Sequence, residues 1–543
     1  MHHPHWDTDT RTELRTDLEA TMRDGTVLRA DAYRPTGGGP WPVLLVRTPY
    51  GKQDPGVLAR LDPFTAARRG YLVVVQDCRG RFRSEGDWRP LAHESADGYD
   101  SIAWAARLPG ADGRVGMYGP SYLGHTQWAA IAADPPQLHA AAPELTWSDP
   151  QDGLLARGGA VELGLVTHWT LTLGADVLQR RHADDPEQLR RQLALLDRAL
   201  DRLTTHTYWE LPVPASATMR RLGLPVPAAP LRETNGSPPP GVPTLAVAGW
   251  FDCFLQGSLD NYMTARRTGV EAALIVGPWS HDNQSGRIGD TDFAPTADAA
   301  GIDGGGSLLE RELDWFDRQF KQQQAVPEPS SVLLFVMGVN QWRRLESWPP
   351  ESVDTVWYLN AGGRLSLDPP GPPGPHSSSD SWQHDPTDPV PTCGGAVLMA
   401  PGFPAGPLDQ RQIEKRDDVL VYTSEPLEAP LEVVGRVSVH LVTDSSSPST
   451  DWVARLCDLD ADGTSRNITD GILRDHQTRP DADLSIDLWS TAHVFLPGHR
   501  IRLQITSSCF PRWDRMPATS VARRTVHHDA ARLSRIVLPV FRH

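Results

Sequence analysis

Cysteine, lysine and long apolar runs are all scarce in this chain. Its 543 residues hold five cysteines, at 78, 253, 393, 457 and 509, scattered and odd in number. That excludes a disulfide framework, and without Cys-x-x-Cys spacing it excludes a thiolate metal site. No run approaches the ~18 apolar residues of a membrane span. The first 25 residues carry no apolar core of a signal peptide, so a reducing, cytoplasmic setting is expected. In that setting the Asn-x-Ser/Thr strings at Asn235 and Asn467 carry little meaning, and His2, His3 and His5 read as a loose terminus rather than a metal site. Positive charge is also short: 52 basic against 68 acidic residues give −16. Phosphate binding needs a basic surface, so nucleic acid is not an expected partner. Lysine occurs only at 52, 321 and 415, which reflects coding preference more than function. The 39% hydrophobic content is ordinary for a soluble chain, and this length predicts two or three cores.

The informative stretch is Val115-Gly116-Met117-Tyr118-Gly119-Pro120-Ser121-Tyr122-Leu123-Gly124, followed by an alanine-rich run. A short apolar strand, Gly-x-Ser, then a helix is the pattern of a nucleophile elbow, which pushes the serine hydroxyl out at the top of a sheet. The second glycine arrives one residue late, because Leu123 fills its usual place. A turn serine capping a helix is the competing account. Chain order favours the elbow, since the acid and then the histidine should follow, each after a strand. Asp252 follows the apolar run 244–251, and His281 follows 272–276 and its breakers. Imidazole, ordinarily titrating near ~6.5, suits the task of taking the serine proton. The aspartate would orient it and stabilise the imidazolium. An oxyanion donor is inherent in the N–H of Tyr122. The strand within Pro42–Gly51 ends in Pro-Tyr-Gly with no His-Gly-Gly-Gly loop, so the hydroxyl of Tyr50 is the candidate second donor.

Several strings together resemble the cocaine-esterase-like hydrolases of the X-Pro dipeptidyl-peptidase and α-amino-acid ester hydrolase superfamily. They are Arg47-Thr48-Pro49-Tyr50, Asp77-Cys78-Arg79-Gly80 with Ser84-Glu85-Gly86, Gly119 to Gly124, Gly249-Trp250-Phe251-Asp252 and Gly277-Pro278-Trp279-Ser280-His281. Phe335 to Gly338, Gly498 to Ile501 and Ser507 to Pro511 extend the likeness along the chain. The resemblance implies a triad of Ser121, Asp252 and His281 with Tyr50 and Tyr122 at the oxyanion. It also implies an α/β-hydrolase domain (1–144 and 236–325), an inserted helical cap (145–235) and a C-terminal β jelly roll (326–543).

Periodicity agrees with this α/β architecture. Segments 42–50, 71–76, 115–119, 244–251 and 272–276 read as buried strands separated by helical stretches, the pattern of a parallel sheet. Within 145–235, Asp184-Asp185-Pro186 starts a helix. Leu189, Leu193, Leu196, Leu200 and Leu203 then form one packing face. After a helix over 307–321, Val437, Val439 and Leu441 and then Ile501, Leu503 and Ile505 alternate with polar residues, as in an antiparallel sandwich. The Pro/Gly-rich run 369–375 with Ser377 to Ser379 reads as a long loop inside that sandwich.

The acids Glu94, Asp97 and Asp100 invite a metal reading, but Arg79, Arg81 and Arg83 lie among them. Acids preceding the helix 101–106 complement its dipole, so structure is the better account, and neither metal nor organic cofactor is expected. Relatives that bind a free α-amino group use carboxylates near the site. Here Cys253, Phe254 and Leu255 follow Asp252, and an ammonium buried without carboxylates is costly. An apolar or aromatic acyl group is therefore expected, with Trp169, Phe254, Leu398 and Met399 assigned by resemblance to its pocket. The reading is a serine esterase or amidase acting through an acyl-enzyme on a small-molecule ester or amide. Alternatives are acyl transfer by the same intermediate, an X-Pro dipeptidyl peptidase or α-amino-acid ester hydrolase, and a non-catalytic jelly-roll binding protein. Membrane partners are not expected, and a homodimer is compatible with the sequence.

Overall fold

The computed structural model describes residues 12–211, 216–227, 241–321, 331–372, 378–516 and 520–542. Runs such as Val43-Leu44-Leu45-Val46 and Val73-Val74-Val75 are buried on both faces, as the inner strands of a parallel sheet require. Leu44, Val46, Val73 and Val75 pack against Trp315 and Phe316 on one side. Val43, Leu45, Leu72 and Val74 pack against Ile102, Ala105 and Ile131 on the other.

Among the described residues the sheet has ten strands: β1 (Thr12–Thr21), β2 (Val27–Pro35), β3 (Trp41–Thr48), β4 (Leu72–Asp77), β5 (Ala111–Pro120), β6 (Leu138–Glu144), β7 (Thr244–Phe251), β8 (Ala272–Ser280), β9 (Val332–Val336) and β10 (Gln341–Leu345). Their spatial order is β1-β2-β4-β3-β5-β6-β7-β8-β9-β10. Strands β4 to β9 of that order pair in parallel, with antiparallel hairpins closing both ends. Two features differ from the sequence reading. The hairpin β1–β2 and the strand β6 are not among the strands the sequence pattern predicts. β9 pairs in parallel with Leu274–Val276 of β8, and β10 pairs with β9, so 332–345 extend the large sheet.

Between Glu144 and Thr244 lies the helical insertion, with helices Leu163–Thr172, Gly174–Arg181, Pro186–Asp201 and Ala217–Leu222. Asp185 caps the third, its carboxylate accepting the Gln188 N–H at 2.9 Å. The leucine stripe faces inward as its spacing requires: Leu196 and Leu203 are buried, with Leu189, Leu193 and Leu200 packed beside them. The return to the sheet, including Asn235, lies outside the described residues, as do His2, His3 and His5 and the middle of the Pro/Gly-rich loop (373–377).

From Ser352 to Phe541 the described residues form a twelve-stranded, almost wholly antiparallel β domain. Val437, Val439, Leu441, Ile501, Leu503 and Ile505 are all fully buried, matching their alternation. This domain docks on the insertion through Arg157, whose guanidinium lies 3.6 Å from the centre of the Trp489 ring, and through Trp513, which donates to Glu162 at 2.8 Å. Asn467 is buried in a strand and accepts the Leu408 N–H at 2.8 Å, so it offers no accessible amide.

Candidate active site

Ser121, Asp252 and His281 each follow the C-terminal end of a neighbouring strand, β5, β7 and β8, the edge where open α/β sheets place their ligands. Ser121 has φ 61° and ψ −126° and immediately precedes the helix Tyr122–Ala133. A non-glycine residue there is strained, and strain of that kind persists only where the surroundings enforce it. Here the Ser121 N–H donates to the Glu144 carbonyl at 2.9 Å, which ties the turn to the end of β6. The serine side chain makes no capping bond to the helix, so the competing account of a capping serine fails. The late glycine also has a reason: a Cβ at Gly124 would lie 2.8 Å from the Thr146 side chain and 3.0 Å from the Glu144 carbonyl. That backbone approach, one residue further along the helix, is what needs the glycine.

Asp252 is fully buried. One carboxylate oxygen accepts the Phe254 N–H at 2.7 Å, and the other lies 2.7 Å from His281 Nδ1. The Nδ1 proton is thereby committed to the carboxylate and Nε2 is left as the basic nitrogen. Burial alone pushes the His281 imidazole down, but the Asp252 charge and hydrogen bond, joined by the Asp282 charge, leave it above its ordinary value of 6.5. The other nearby histidine, His125, is pushed down to about 4 by burial and by Arg47. It stacks on Trp147 at 5.0 Å and stays neutral.

Tyr50 brings its hydroxyl to the same point. Trp169 Nε1 donates to it at 3.2 Å, and the Ser121 side chain is its other hydrogen-bonding neighbour. Burial outweighs both bonds and holds the phenol above 10, so it remains a neutral donor. Tyr122 is the first residue of its helix, where the N–H has no intrahelical partner. Its own hydroxyl points away, donating to Glu94 and accepting the Leu91 N–H, each at 2.8 Å.

Trp169, Phe254 and Leu398 line one closed pocket with Ser121, Tyr50 and Tyr122. Its free volume is about 10 Å³, room for a single water. Trp169 stacks on Tyr122 at 6.0 Å; Phe254 sets its edge against the His281 ring at 5.2 Å. Met399 is not brought to this pocket. It packs on Gly164 and lines a separate cleft beside Ser280 and Asp282. Leu91, Trp147, Leu154, Leu165 and Pro227 complete the lining. The sequence signal for Trp147 is its place just after β6, a strand that the local pattern does not predict. On the other side of Ser121 an open cleft of about 610 Å³ is walled by Tyr50, Arg60, Leu61, Arg81, Phe82 and Asp176, among others.

The acids weighed as a metal site are engaged by arginines. Arg47 pairs with Glu94 at 2.8 Å, Arg79 with Asp97 at 2.6 Å, and Arg23 with Asp100 at 2.9 Å. These acids lie within the helix Glu94–Ala105 rather than before it. Asp444, Asp481 and His527 in the β domain also converge within ligating distance of one another. There Arg532, 3.1 Å from Asp481, supplies the positive charge.

Comparison with known proteins identifies the family. Residues 24–283 match the X-Pro dipeptidyl-peptidase (S15 family) model, and residues 324–537 match the X-Pro dipeptidyl-peptidase C-terminal non-catalytic domain. The cocaine esterase of Rhodococcus sp. (strain MB1 Bresler) is 34% identical, over 97% of this chain and 99% of that protein. An aminopeptidase structure from a marine sediment Thaumarchaeota archaeon superposes with a TM-score of 0.76 at 24% identity, covering 100% of this chain and 98% of the other. An α-amino acid ester hydrolase structure gives 0.73 at 24% identity, covering 98% and 97%. These two likenesses establish the fold. The chain therefore belongs to the cocaine-esterase-like (CocE/NonD) hydrolases of the X-Pro dipeptidyl-peptidase superfamily, and is an enzyme acting by serine-hydrolase chemistry on an ester or amide.

Proposed function

We propose that the protein cleaves a carboxylic ester or amide bearing an apolar or aromatic acyl group, with Ser121 as nucleophile. The observations that carry this reading are the 2.7 Å bond from Asp252 to His281 Nδ1 and a serine held in a strained elbow whose side chain makes no capping bond to the helix. His281 Nε2 removes the Ser121 proton as the oxygen attacks the substrate carbonyl. The resulting oxyanion takes hydrogen bonds from the Tyr122 N–H and the Tyr50 hydroxyl. Imidazolium then protonates the leaving alcohol or amine, and water repeats the sequence on the acyl-enzyme.

The acyl group occupies the pocket of Trp169, Phe254, Leu398 and Trp147, which opens by displacement of those side chains; the leaving group lies in the larger cleft. Among the described residues no carboxylate lines the acyl pocket, which argues against a free α-amino group there. A setting that keeps all five thiols reduced suits the enzyme, since all five cysteines are free. Among the described residues no helix is long and apolar enough to cross a membrane.

The test is a panel of matched substrates: benzoyl, phenylacetyl and butyryl esters and anilides, α-amino acid esters, and Xaa-Pro anilides. Higher kcat/KM for the uncharged acyl esters supports the reading. Preference for a free α-amino group would refute it.

A further inference from the structure

Tyr50 is held from two sides by the helical insertion. On one side Trp169 Nε1 donates directly to its hydroxyl. On the other lies Arg81, a fully buried cation that the chemistry of the triad does not use. Its Nε donates to the carbonyl of Pro49, the residue bonded to Tyr50, at 2.8 Å. Its Nη1 donates to the Leu173 carbonyl at 3.2 Å and lies 3.3 Å from Asp176. Leu173 and Asp176 belong to the insertion, at the start of the helix Gly174–Arg181. The guanidinium is clamped between Phe82 and Trp88, 5.1 and 5.3 Å from their ring centres.

The same helix grips the loop carrying Arg81. Asp176 accepts the Phe82 N–H at 3.3 Å, and Arg180 donates to the Phe82 carbonyl at 2.6 Å. Phe82 itself sits at φ 42°, a conformation that needs such restraint.

From this geometry we infer that Arg81 is a positioning residue of the oxyanion hole: it fixes the Pro49–Tyr50 backbone to the insertion, so that the insertion and the Tyr50 hydroxyl are set together. The inference rests on the proposed role of Tyr50. A planar fork can bridge two carbonyls and a carboxylate at once, whereas glutamine or lysine cannot reproduce it. A small misplacement of a catalytic donor costs up to about 100-fold in rate.

The experiment measures kcat per fluorophosphonate-titrated site and KM for a benzoyl ester, in wild type, Arg81→Gln, Tyr50→Phe and the double variant. Arg81→Gln is expected to lower kcat between about 10- and 100-fold with KM little changed. In the Tyr50→Phe background it should cost little more, because the group it positions is gone. An unchanged kcat per titrated site, or an equal loss in both backgrounds, would overturn the proposal. Should Arg81→Gln fail to fold, Asp176→Asn removes the far end of the link and is judged by the same two results. A wild type that never acylates Ser121 overturns the triad reading and this inference together. A full wild-type burst with an unaffected Arg81→Gln overturns this inference alone.

Discussion

Tyr50→Phe removes one oxygen and separates two effects of different kinds. In the folded enzyme that oxygen accepts the Trp169 indole N–H at 3.2 Å and meets the Ser121 side chain. Because the indole takes one lone pair, the phenolic proton is free to point at the developing oxyanion. Burial keeps the hydroxyl protonated throughout the neutral range. Losing one of two oxyanion donors removes about 2.7–4 kcal/mol of transition-state stabilisation, or 10²–10³ in kcat. Since the donor acts on charge that exists only in the transition state, KM should move little. Separately, the Trp169 N–H is left unpaired at a half-buried site, which lowers stability by about 1–3 kcal/mol. Pre-steady-state kinetics with a chromogenic aryl ester reads the first effect as a slowed burst, and a urea melt reads the second. A burst rate within threefold of wild type would refute the assignment of Tyr50 even with the triad intact.

Asp252→Asn should lower kcat by about 10⁴, because an amide cannot accept from both Phe254 N–H and His281 Nδ1–H and so disturbs the tautomer; single-turnover acylation measures it. The acid limb of kcat/KM should fall above the ordinary histidine value of 6.5, since Asp252 and Asp282 raise His281 and only the neutral imidazole takes the serine proton. Activity is thus lost as pH falls through that raised value, and a limb centred at pH 5 would contradict the assignment. Gly124→Ala should destabilise by about 1–3 kcal/mol through its contact with Thr146, read by thermal melting with a chromogenic assay on the surviving fold.

Much of this was legible because each chemical group stands at a strand exit, and the strands leading to them are uniformly apolar. Thr244–Phe251 and Ala272–Ser280 are buried almost throughout, which produces the continuous runs visible in the chain. The strand between them and the elbow was not legible. Leu138-His-Ala-Ala-Ala-Pro-Glu combines weak strand formers with a proline, which argues against a central strand. It is a strand because β5 and β7 pair with it on both sides, a tertiary decision no local pattern contains. Trp147 and the Glu144 carbonyl that anchors Ser121 take their places from that strand, so the local pattern does not reveal them. By its apolar pattern alone Val332–Val336 suits either domain, and its parallel pairing with β8 is what joins it to the large sheet. Met399 shows the limit of assignment by resemblance: a position beside a pocket residue does not share its face.

The measurement that bears most directly on the central claim is rapid-quench mass spectrometry with peptide mapping after mixing the enzyme with a benzoyl aryl ester. One equivalent of benzoyl group on Ser121, forming in the burst phase and absent in Ser121→Ala and slowed in His281→Ala, is the predicted result. An acyl group mapped elsewhere, or turnover that persists in Ser121→Ala, would contradict it.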